Sequence, residues 1–235
     1  MSDFPTIPPP ARRLLVFARL PERGRVKTRI AAEIGDERAL AVYEAMLRDA
    51  IRSIGSPGEG SEFEVLWAPT ESVSGERLAQ AFGDFPVAMQ TGATLGERLA
   101  MAFSERFFFH RTEAIIAIGV DDPLIPRALI DHAFELLESC DWVIGPAVDG
   151  GYYLIGCRGP AFDPDVFHGI DWGTSHVFSA TLRKIRGWER NLAVLPLRAD
   201  IDVGADLDRF AAEEHEGELA ALLRGWKWGG ASREG

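Results

Sequence analysis

Residues 114–123, AIIAIGVDDP, decide the fold of this chain. The first five are short, uncharged and rich in isoleucine, which is typical of a strand buried on both faces of a sheet. The segment then ends in Asp121, Asp122 and Pro123. Because open α/β sheets bind ligands at the carboxyl ends of their strands, we predict a central strand that delivers two carboxylates to a ligand cleft.

Apolar runs and helical periods alternate on both sides of this strand, a pattern typical of an α/β sheet with crossover helices. The further strands are predicted at 13–18, 63–67, 87–90, 142–148, 152–157 and 192–197. The helices are predicted at 36–54, 71–82, 94–109, 126–139, 176–189 and 205–223. We predict an N-terminal arm over residues 1–12, one domain over 13–223 and a loose tail over 224–235.

Composition excludes several classes of protein. The 235 residues carry a formal charge of −11, which argues against binding of nucleic acid over a broad face, and 46% of them are hydrophobic, enough to bury a core. Two cysteines cannot form a disulfide framework or a four-ligand zinc site. No apolar stretch approaches the roughly 20 residues that span a bilayer, and the N-terminus lacks the apolar core of a secretory signal. A cytoplasmic protein without a membrane span is expected.

A basic loop follows the first strand. Residues 18–29, ARLPERGRVKTR, contain five of the seven cationic residues that precede residue 30, against the single acidic Glu22. Guanidinium and ammonium groups suit phosphate oxygens, whereas the alternative is a loop exposed to solvent. The spacing differs from that of a Walker loop, which disfavours ordinary ATPase chemistry. The concentration of cations in an acidic chain favours a polyphosphate site.

Carboxylates follow two of the predicted strands. One carboxylate after a buried strand can hold Mg²⁺ or Mn²⁺ that also binds phosphate oxygens. Asp121 can be that ligand while Asp122 caps the next segment. Asp200 and Asp202 flank Ile201, so strand alternation puts both on one side, either as a second metal ligand or as the start of the last helix.

The sequence Asp149-Gly150-Gly151 predicts a hairpin between two strands. It is either a simple turn or a place where the backbone approaches a ligand closely, in which case Asp149 contacts an acceptor, a sugar hydroxyl or the metal. In residues 171–175, DWGTS, Thr174 or Ser175 is a candidate N-cap, and Trp172 is a candidate pocket wall. A serine nucleophile elbow does not occur, and the five histidines lack the spacing of zinc ligands.

Six segments together resemble the DUF2064 family, bacterial transferases associated with radical-SAM and selenodomain neighbours. The family is similar to GT-A fold glycosyltransferases and to nucleotidyltransferases such as 2-phospholactate guanylyltransferase. The segments are FARLPERGRVKTRI (17–30), MLRDA (46–50), GVDDP (119–123), GPAVDGGYYLIG (145–156), DWGT (171–174) and DIDVGADL (200–207). The resemblance implies a three-layer GT-A sandwich with a mixed, mostly parallel central sheet.

The resemblance also implies roles for individual residues. Together with the patterns above, it assigns nucleotide and phosphate contacts to Ala18, Arg19, Arg25, Lys27 and Arg29, the metal to Asp121 and Asp202, and the catalytic role to Asp149. The acceptor pocket is assigned to Gly150, Gly151, Tyr152, Trp172 and Thr174. The chain departs from the family at Arg19, where lysine is usual, and at Asp122, where a small residue is usual. Because of the second departure, both Asp121 and Asp122 remain candidates for the metal ligand.

The expected activity is transfer from a nucleotide-activated donor, a nucleotide sugar, to a small-molecule acceptor. Mg²⁺ or Mn²⁺ with Arg25, Lys27 and Arg29 would neutralise the diphosphate leaving group, and Asp149 would act as base or orient the acceptor. One alternative is a guanylyltransferase-like nucleotidyltransferase that releases pyrophosphate from a nucleoside triphosphate. The loop holds only Gly24 where those enzymes are glycine-rich, which disfavours this alternative. The other is a non-catalytic nucleotide-binding module.

Overall fold

A computed structural model of the chain describes residues 12–55, 65–68, 87–110 and 112–228. The strands are β1 (Arg12–Val16), β2 (Ala18–Arg19), β3 (Val65–Ala68), β4 (Val87–Met89), β5 (Ala114–Ile118), β6 (Trp142–Pro146), β7 (Tyr152–Arg158) and β8 (Leu192–Val194). The helices are α1 (Thr28–Ile34), α2 (Asp36–Ile54), α3 (Leu95–Phe108), α4 (Arg127–Leu136), α5 (Val177–Gly187), α6 (Gly204–Ala211) and α7 (Glu218–Gly225). Within the described ranges, no helix is long and apolar enough to cross a membrane.

The strands form a five-stranded sheet in the order β1-β5-β7-β6-β8 and a three-stranded sheet in the order β2-β3-β4. Only Phe17 separates β1 from β2, so the chain passes directly from one sheet into the other. β7 runs antiparallel to β5 and β6, and the other strand pairs of the described chain are parallel. The predicted mixed, mostly parallel sheet is confirmed.

Strand β5 lies between two layers of helices, as its uninterrupted apolar sequence predicts. All five of its residues are buried. Ile116 and Ile118 belong to a cluster with residues of α2 and α4, whereas Ile115 and Ala117 belong to a second cluster with α3 and α5. Because successive side chains point to opposite faces of a strand, one short strand joins both halves of the core. The three-layer arrangement is confirmed.

The predicted hairpin between β6 and β7 is present. The amide of Ala147 donates to the carbonyl of Gly151 at 3.0 Å, and the amide of Gly150 donates to the carbonyl of Ala147 at 3.1 Å. Gly150 has φ +90°, and a Cβ there would lie 2.2 Å from the carbonyl oxygen of Ser175. A glycine is therefore required at this position both by the backbone conformation and by the neighbouring loop.

The C-terminal region differs from the prediction. Instead of one helix over 205–223 there are two, because the chain turns between Ala211 and Glu218. The buried carboxylate of Asp49 in α2 accepts from the amides of Glu218 at 2.7 Å and Leu219 at 2.9 Å, and so caps the second helix. That cap comes from 169 and 170 residues away, where no sequence pattern indicates it.

The first strand begins earlier, and the last helix ends later, than the sequence predicts. Arg12 begins β1, and α7 continues past 223 to Gly225. Trp226 and Trp228 pack against the core, and the indole Nε1 of Trp228 donates to Asp208 at 3.0 Å. The remaining residues of the predicted arm and tail, 1–11 and 229–235, lie outside the described residues, as does the predicted helix at 71–82.

Candidate active site

A cleft of about 620 Å³ opens beside the carboxyl ends of β1, β4 and β5. Its walls come from Phe17 and β2, the loop before α1 and the start of that helix, the start of α3, the end of β5 and part of β7. Five predicted phosphate-binding residues line it: Ala18, Arg19, Arg25, Lys27 and Arg29. Asp121 and Asp202 line the same cleft, so the cations and carboxylates that the sequence analysis places together do converge.

The tyrosine of α2 fixes the strand that carries Arg19. The hydroxyl of Tyr43 accepts from the backbone amide of Arg19 at 2.8 Å and donates to the backbone carbonyl of the same residue at 2.8 Å. Burial raises the pKa of Tyr43 above its ordinary value, so the hydroxyl keeps its proton. The Arg19 guanidinium donates to the carbonyl of Arg25 at 3.4 Å. This clamp holds one side of the cleft.

Arg98 is a cationic residue of the cleft that the sequence analysis missed. It lies in the first turn of α3, and its guanidinium donates to the carbonyls of Gly92 at 3.0 Å and Ala93 at 3.3 Å. On a helix with an apolar face, a single arginine is typical of the solvated surface. Only the packing of α3 against the sheet brings it to the cleft.

Lys27 is the most constrained cation in the cleft. Its side chain is 4% exposed, and its Nζ lies 2.5 Å from Asp121 Oδ1, 2.8 Å from Asp202 Oδ1 and 2.5 Å from the carbonyl oxygen of Ile201. Burial alone would lower the pKa of Lys27, but the charges of Asp121 and Asp202 outweigh it and raise the pKa above 10.5. The ammonium is therefore charged and paired with both predicted metal ligands.

Asp121 and Asp122 have different environments. The side chain of Asp121 is 54% exposed and faces the cleft. Asp122 is buried, is paired with the Arg198 guanidinium, and accepts from the amide of Leu124 at 3.0 Å. Asp122 is therefore held by partners within the protein, whereas Asp121 is the one of the two that faces the cleft.

The loop after β8 lies against the end of β5. The amide of the buried Ile201 donates to the carbonyl of Asp121 at 2.9 Å, which sets Asp202 beside Lys27. Asp200, which precedes Ile201 in the sequence, lies near several other carboxylates. Burial, together with the charges of Asp149 and the other nearby aspartates, raises the pKa of Asp200 from 3.8 to about 7.

The predicted acceptor residues divide into two groups. Tyr152 lines the cleft, and its ring meets that of Trp172 edge to face at 6.2 Å. Among the described residues that line the cleft, the four other predicted acceptor residues do not occur: Gly150, Gly151, Trp172 and Thr174. Asp149, the predicted catalytic residue, does not line the cleft either. The exposed Asp149 carboxylate accepts from the amide of Gly151 at 2.8 Å, and the Thr174 hydroxyl donates to the carbonyl of Asp171 at 2.8 Å.

Comparison with known proteins identifies the family. The model of DUF2064, described as an uncharacterized protein conserved in bacteria, matches residues 59–174. The crystal structure of a Desulfovibrio desulfuricans G20 protein, provisionally assigned as a nucleotide-diphospho-sugar transferase, is 31% identical with a TM-score of 0.86. The match covers 92% of this chain and 95% of the other. The chain belongs to the DUF2064 family. No curated protein matches it.

Other solved structures share the fold of this DUF2064 chain. CMP:2-keto-3-deoxy-manno-octonic acid synthetase, complexed with CTP, is 10% identical with a TM-score of 0.52, over 91% of this chain and 99% of the synthetase. The inositol-1-phosphate CTP transferase of T. maritima is 15% identical with a TM-score of 0.53, over 92% of this chain and 98% of the transferase. The fold is thus that of nucleotide-diphospho-sugar transferases and nucleotidyltransferases.

The acidic side of this DUF2064 site fits a divalent cation. Asp121 Oδ1 and Asp202 Oδ1 converge on one point, which the Lys27 ammonium holds. Within the described part of the chain, no group of three or more His, Cys, Asp or Glu residues is placed to hold a metal. Mg²⁺ commonly takes only one or two carboxylates and completes its shell with water and substrate phosphates. Two converging carboxylates beside a basic cleft suit that kind of binding.

The position of Asp200 leads to a prediction about stability and pH. Because its pKa is higher in the folded protein than the 3.8 of the unfolded chain, the folded state binds the extra proton, and this group lowers stability as the pH rises from about 4 to about 7. We expect Asp200→Asn to stabilise the metal-free DUF2064 protein by on the order of 2 kcal/mol more at pH 8 than at pH 4.5. Urea unfolding in a chelating buffer at both values measures the difference.

Asp206→Asn is the matched control for that experiment. Burial favours a higher pKa for Asp206, but hydrogen bonds from the backbone amides of Asp202 at 2.8 Å and Val203 at 2.9 Å, with Arg209, lower it. Its carboxylate therefore stabilises the fold above the unfolded pKa, and its loss should destabilise the protein at pH 8. A gain from Asp200→Asn that is equal at both pH values would contradict the prediction.

Proposed function

We propose that this chain is a metal-dependent transferase that uses a nucleotide-activated donor, and that the donor is a nucleotide sugar. The observation that carries this proposal is the meeting of four arginines and the Asp121–Asp202 pair in one cleft of about 620 Å³. A cleft of that size accommodates a small ligand. Separate basic and acidic walls suit a ligand that carries phosphates and a divalent cation.

The basic wall would bind the diphosphate of the donor. Arg19, Arg25, Arg29 and Arg98 line the cleft. Guanidinium groups form short, paired hydrogen bonds with phosphate oxygens. When the bond to the sugar breaks, negative charge develops on the diphosphate, and cations already in place stabilise that charge without further reorganisation.

The acidic wall would hold the metal. Asp121 and Asp202 are the residues that fit it, and bound Mg²⁺ or Mn²⁺ would supply Lewis-acid neutralisation of the phosphate oxygens. Asp122 contributes indirectly, because its pairing with Arg198 fixes the turn that follows Asp121.

The hairpin at 149–152 would face the acceptor. Its position against the 171–175 loop is fixed by the close approach of Gly150 to Ser175 and by the amide of Phe178, which donates to the carbonyl of Gly150 at 2.9 Å. Tyr152, supported by Trp172, reaches the cleft. Asp149 is our candidate to orient or deprotonate the acceptor hydroxyl, and Gly150, Gly151 and Thr174 are our candidates for the acceptor side next to the cleft. The charge of Asp149 acts on Asp200, which supports this position beside the acidic wall.

The test combines binding with product analysis. A panel of nucleotide sugars and nucleoside triphosphates is screened by thermal shift with and without Mn²⁺, since a ligand of the native state raises the melting temperature. We expect a metal-dependent rise for at least one nucleotide sugar, and release of a nucleoside mono- or diphosphate with an acceptor. No metal-dependent binding of any donor contradicts the proposal.

Two other results would each favour an alternative function. Pyrophosphate release from a nucleoside triphosphate would show nucleotidyl transfer. Binding without turnover, unchanged by Asp121→Asn except for weaker metal affinity, would show a nucleotide-binding module. Asp131→Asn is the control variant, because Asp131 forms an exposed ion pair with Arg127 on α4 and does not line the cleft.

A further inference from the structure

The three hydrogen bonds of Lys27 use every donor that its ammonium has. An ammonium carries three N–H groups, and the three acceptors within 2.8 Å of Nζ are Asp121 Oδ1, Asp202 Oδ1 and the carbonyl oxygen of Ile201. No N–H is left for a phosphate oxygen in this arrangement. Lys27 therefore cannot bind phosphate unless it leaves at least one of these partners.

The same ammonium occupies the position that a divalent cation would need. Mg²⁺ lies about 2.0–2.1 Å from its oxygen ligands. Nζ lies 2.5 and 2.8 Å from the two carboxylate oxygens that would bind the metal. Two cations cannot share that space, so the ion pairs of Lys27 and metal binding by the Asp121–Asp202 pair exclude each other.

We propose that Lys27 is an exchangeable internal counter-ion: it holds Asp121 and Asp202 together in the ligand-free protein, and it leaves them when a divalent cation enters with phosphate. The freed ammonium then lies at the boundary between the acidic wall and the arginines of the cleft, where phosphate oxygens are expected. Only this last contact rests on the proposed function. Exchange between the ammonium and the metal does not depend on what the donor is.

The distribution of exposure supports an exchange of this kind. The Lys27 side chain is 4% exposed, whereas those of Asp121 and Asp202 are 54% and 34% exposed. An entering cation can therefore reach both carboxylates from solvent. Lys27 itself ends a loop and has φ +44°, a conformation that is costly for a residue other than glycine. Loss of its ion pairs would therefore allow the backbone of Lys27 to relax.

Local charge explains why phosphate should accompany the metal. Asp121 and Asp202 share one ammonium, so this pair of carboxylates accepts additional positive charge. A bound divalent cation would take the carboxylate partners of the ammonium, in a cleft that Arg19, Arg25 and Arg29 also line. An anion in that cleft would offset the repulsion among these positive charges. Metal alone should consequently bind weakly to the unchanged protein.

The first experiment measures Mn²⁺ affinity directly, by electron paramagnetic resonance, with no nucleotide present. We expect Lys27→Met to bind Mn²⁺ at least about tenfold more tightly than the unchanged chain, because the competing charge is gone. Lys184→Met is the matched control: Lys184 pairs with Asp165 at 3.0 Å outside the cleft, and its loss should leave Mn²⁺ affinity unchanged. Equal affinity in the unchanged chain and Lys27→Met, or no binding by Lys27→Met, overturns the proposal.

The second experiment uses the unchanged chain and so does not depend on the folding of a variant. The sequence contains three lysines, Lys27, Lys184 and Lys227, which mass spectrometry can follow separately after acetylation. We expect Mn²⁺ with inorganic phosphate to raise modification of Lys27 several-fold, while modification of the other two lysines stays constant. Unchanged modification of Lys27 at saturating Mn²⁺ with phosphate overturns the exchange. Neither experiment includes a nucleotide, so failure of the proposed transferase activity leaves both results interpretable.

Discussion

Replacement of Asp121 by asparagine is expected to lower turnover of the nucleotide-activated donor by at least about a hundredfold and to leave the fold intact. Loss of one preorganised electrostatic group in an active site typically costs that much. Asparagine keeps the size of the side chain but removes the charge that attracts a cation. The side chain of Asp121 is 54% exposed, so the neutral asparagine is tolerated there. Lys27 loses one ion pair but still donates to Asp202 and to the carbonyl of Ile201. Steady-state kinetics with the donor found in the nucleotide panel measures the loss.

The neighbouring residue provides the matched control. Asp122→Asn removes a buried carboxylate that pairs with Arg198 and accepts from the amide of Leu124. Removal of one partner of a buried ion pair typically costs about 3–5 kcal/mol, so this variant should lose stability, which urea unfolding measures. Asp121→Asn should thus lower turnover with little loss of stability, whereas Asp122→Asn should lower stability. Normal turnover by Asp121→Asn, or equal loss of stability in both variants, contradicts the assignment of Asp121.

The sequence analysis succeeds where local pattern and fold agree. β5 and α2 have the predicted bounds, Ala114–Ile118 and Asp36–Ile54. Strand β5 is uninterrupted and apolar, and α2 has a regular apolar period between Gly35 and Gly55, both with positive φ. The convergence of the basic loop with Asp121 follows from the rule that strand ends of an α/β sheet share one edge.

The sequence analysis fails where distant side chains decide the structure. The partners of Lys27 are 94 and 175 residues away, and Arg198 lies 76 residues from Asp122. No periodicity shows that an ammonium expected to bind phosphate is instead paired with the predicted metal ligands. Helix α1 is missed for a different reason: its seven residues are too few for a periodic apolar face.

The environments of two site residues also depend on contacts between distant parts of the sequence. Arg98 reaches the basic wall because α3 packs against the sheet, although its helix position alone is typical of a solvated arginine. The sequence indicates Asp200 only as one of two carboxylates around Ile201. Its raised pKa comes from burial and from the charges of four aspartates, which lie in the 149–152 hairpin, directly after β5 and in the loop of Asp200 itself. For both residues, tertiary packing rather than local sequence sets the environment.

Replacement of Gly150 by alanine is expected to destabilise the protein by about 3 kcal/mol or more, the largest loss that we predict for addition of one methyl group. Two costs combine. A left-handed backbone conformation costs an alanine about 1 kcal/mol or more, and φ here is +90°. The added Cβ would also lie 2.2 Å from the carbonyl oxygen of Ser175, so backbone rather than a mobile side chain must move.

Gly173→Ala separates these two costs. Gly173 has φ +83°, close to the φ of Gly150, but nothing lies within 4 Å of a Cβ built there. Its loss of stability should therefore reflect strain alone, about 1–2 kcal/mol. The difference between the two variants in urea unfolding measures the contact between the hairpin and the Ser175 loop. Equal losses would show that the hairpin is not held against that loop, and the proposed acceptor side would then lose its rigid support, because Asp149 is positioned by the same turn.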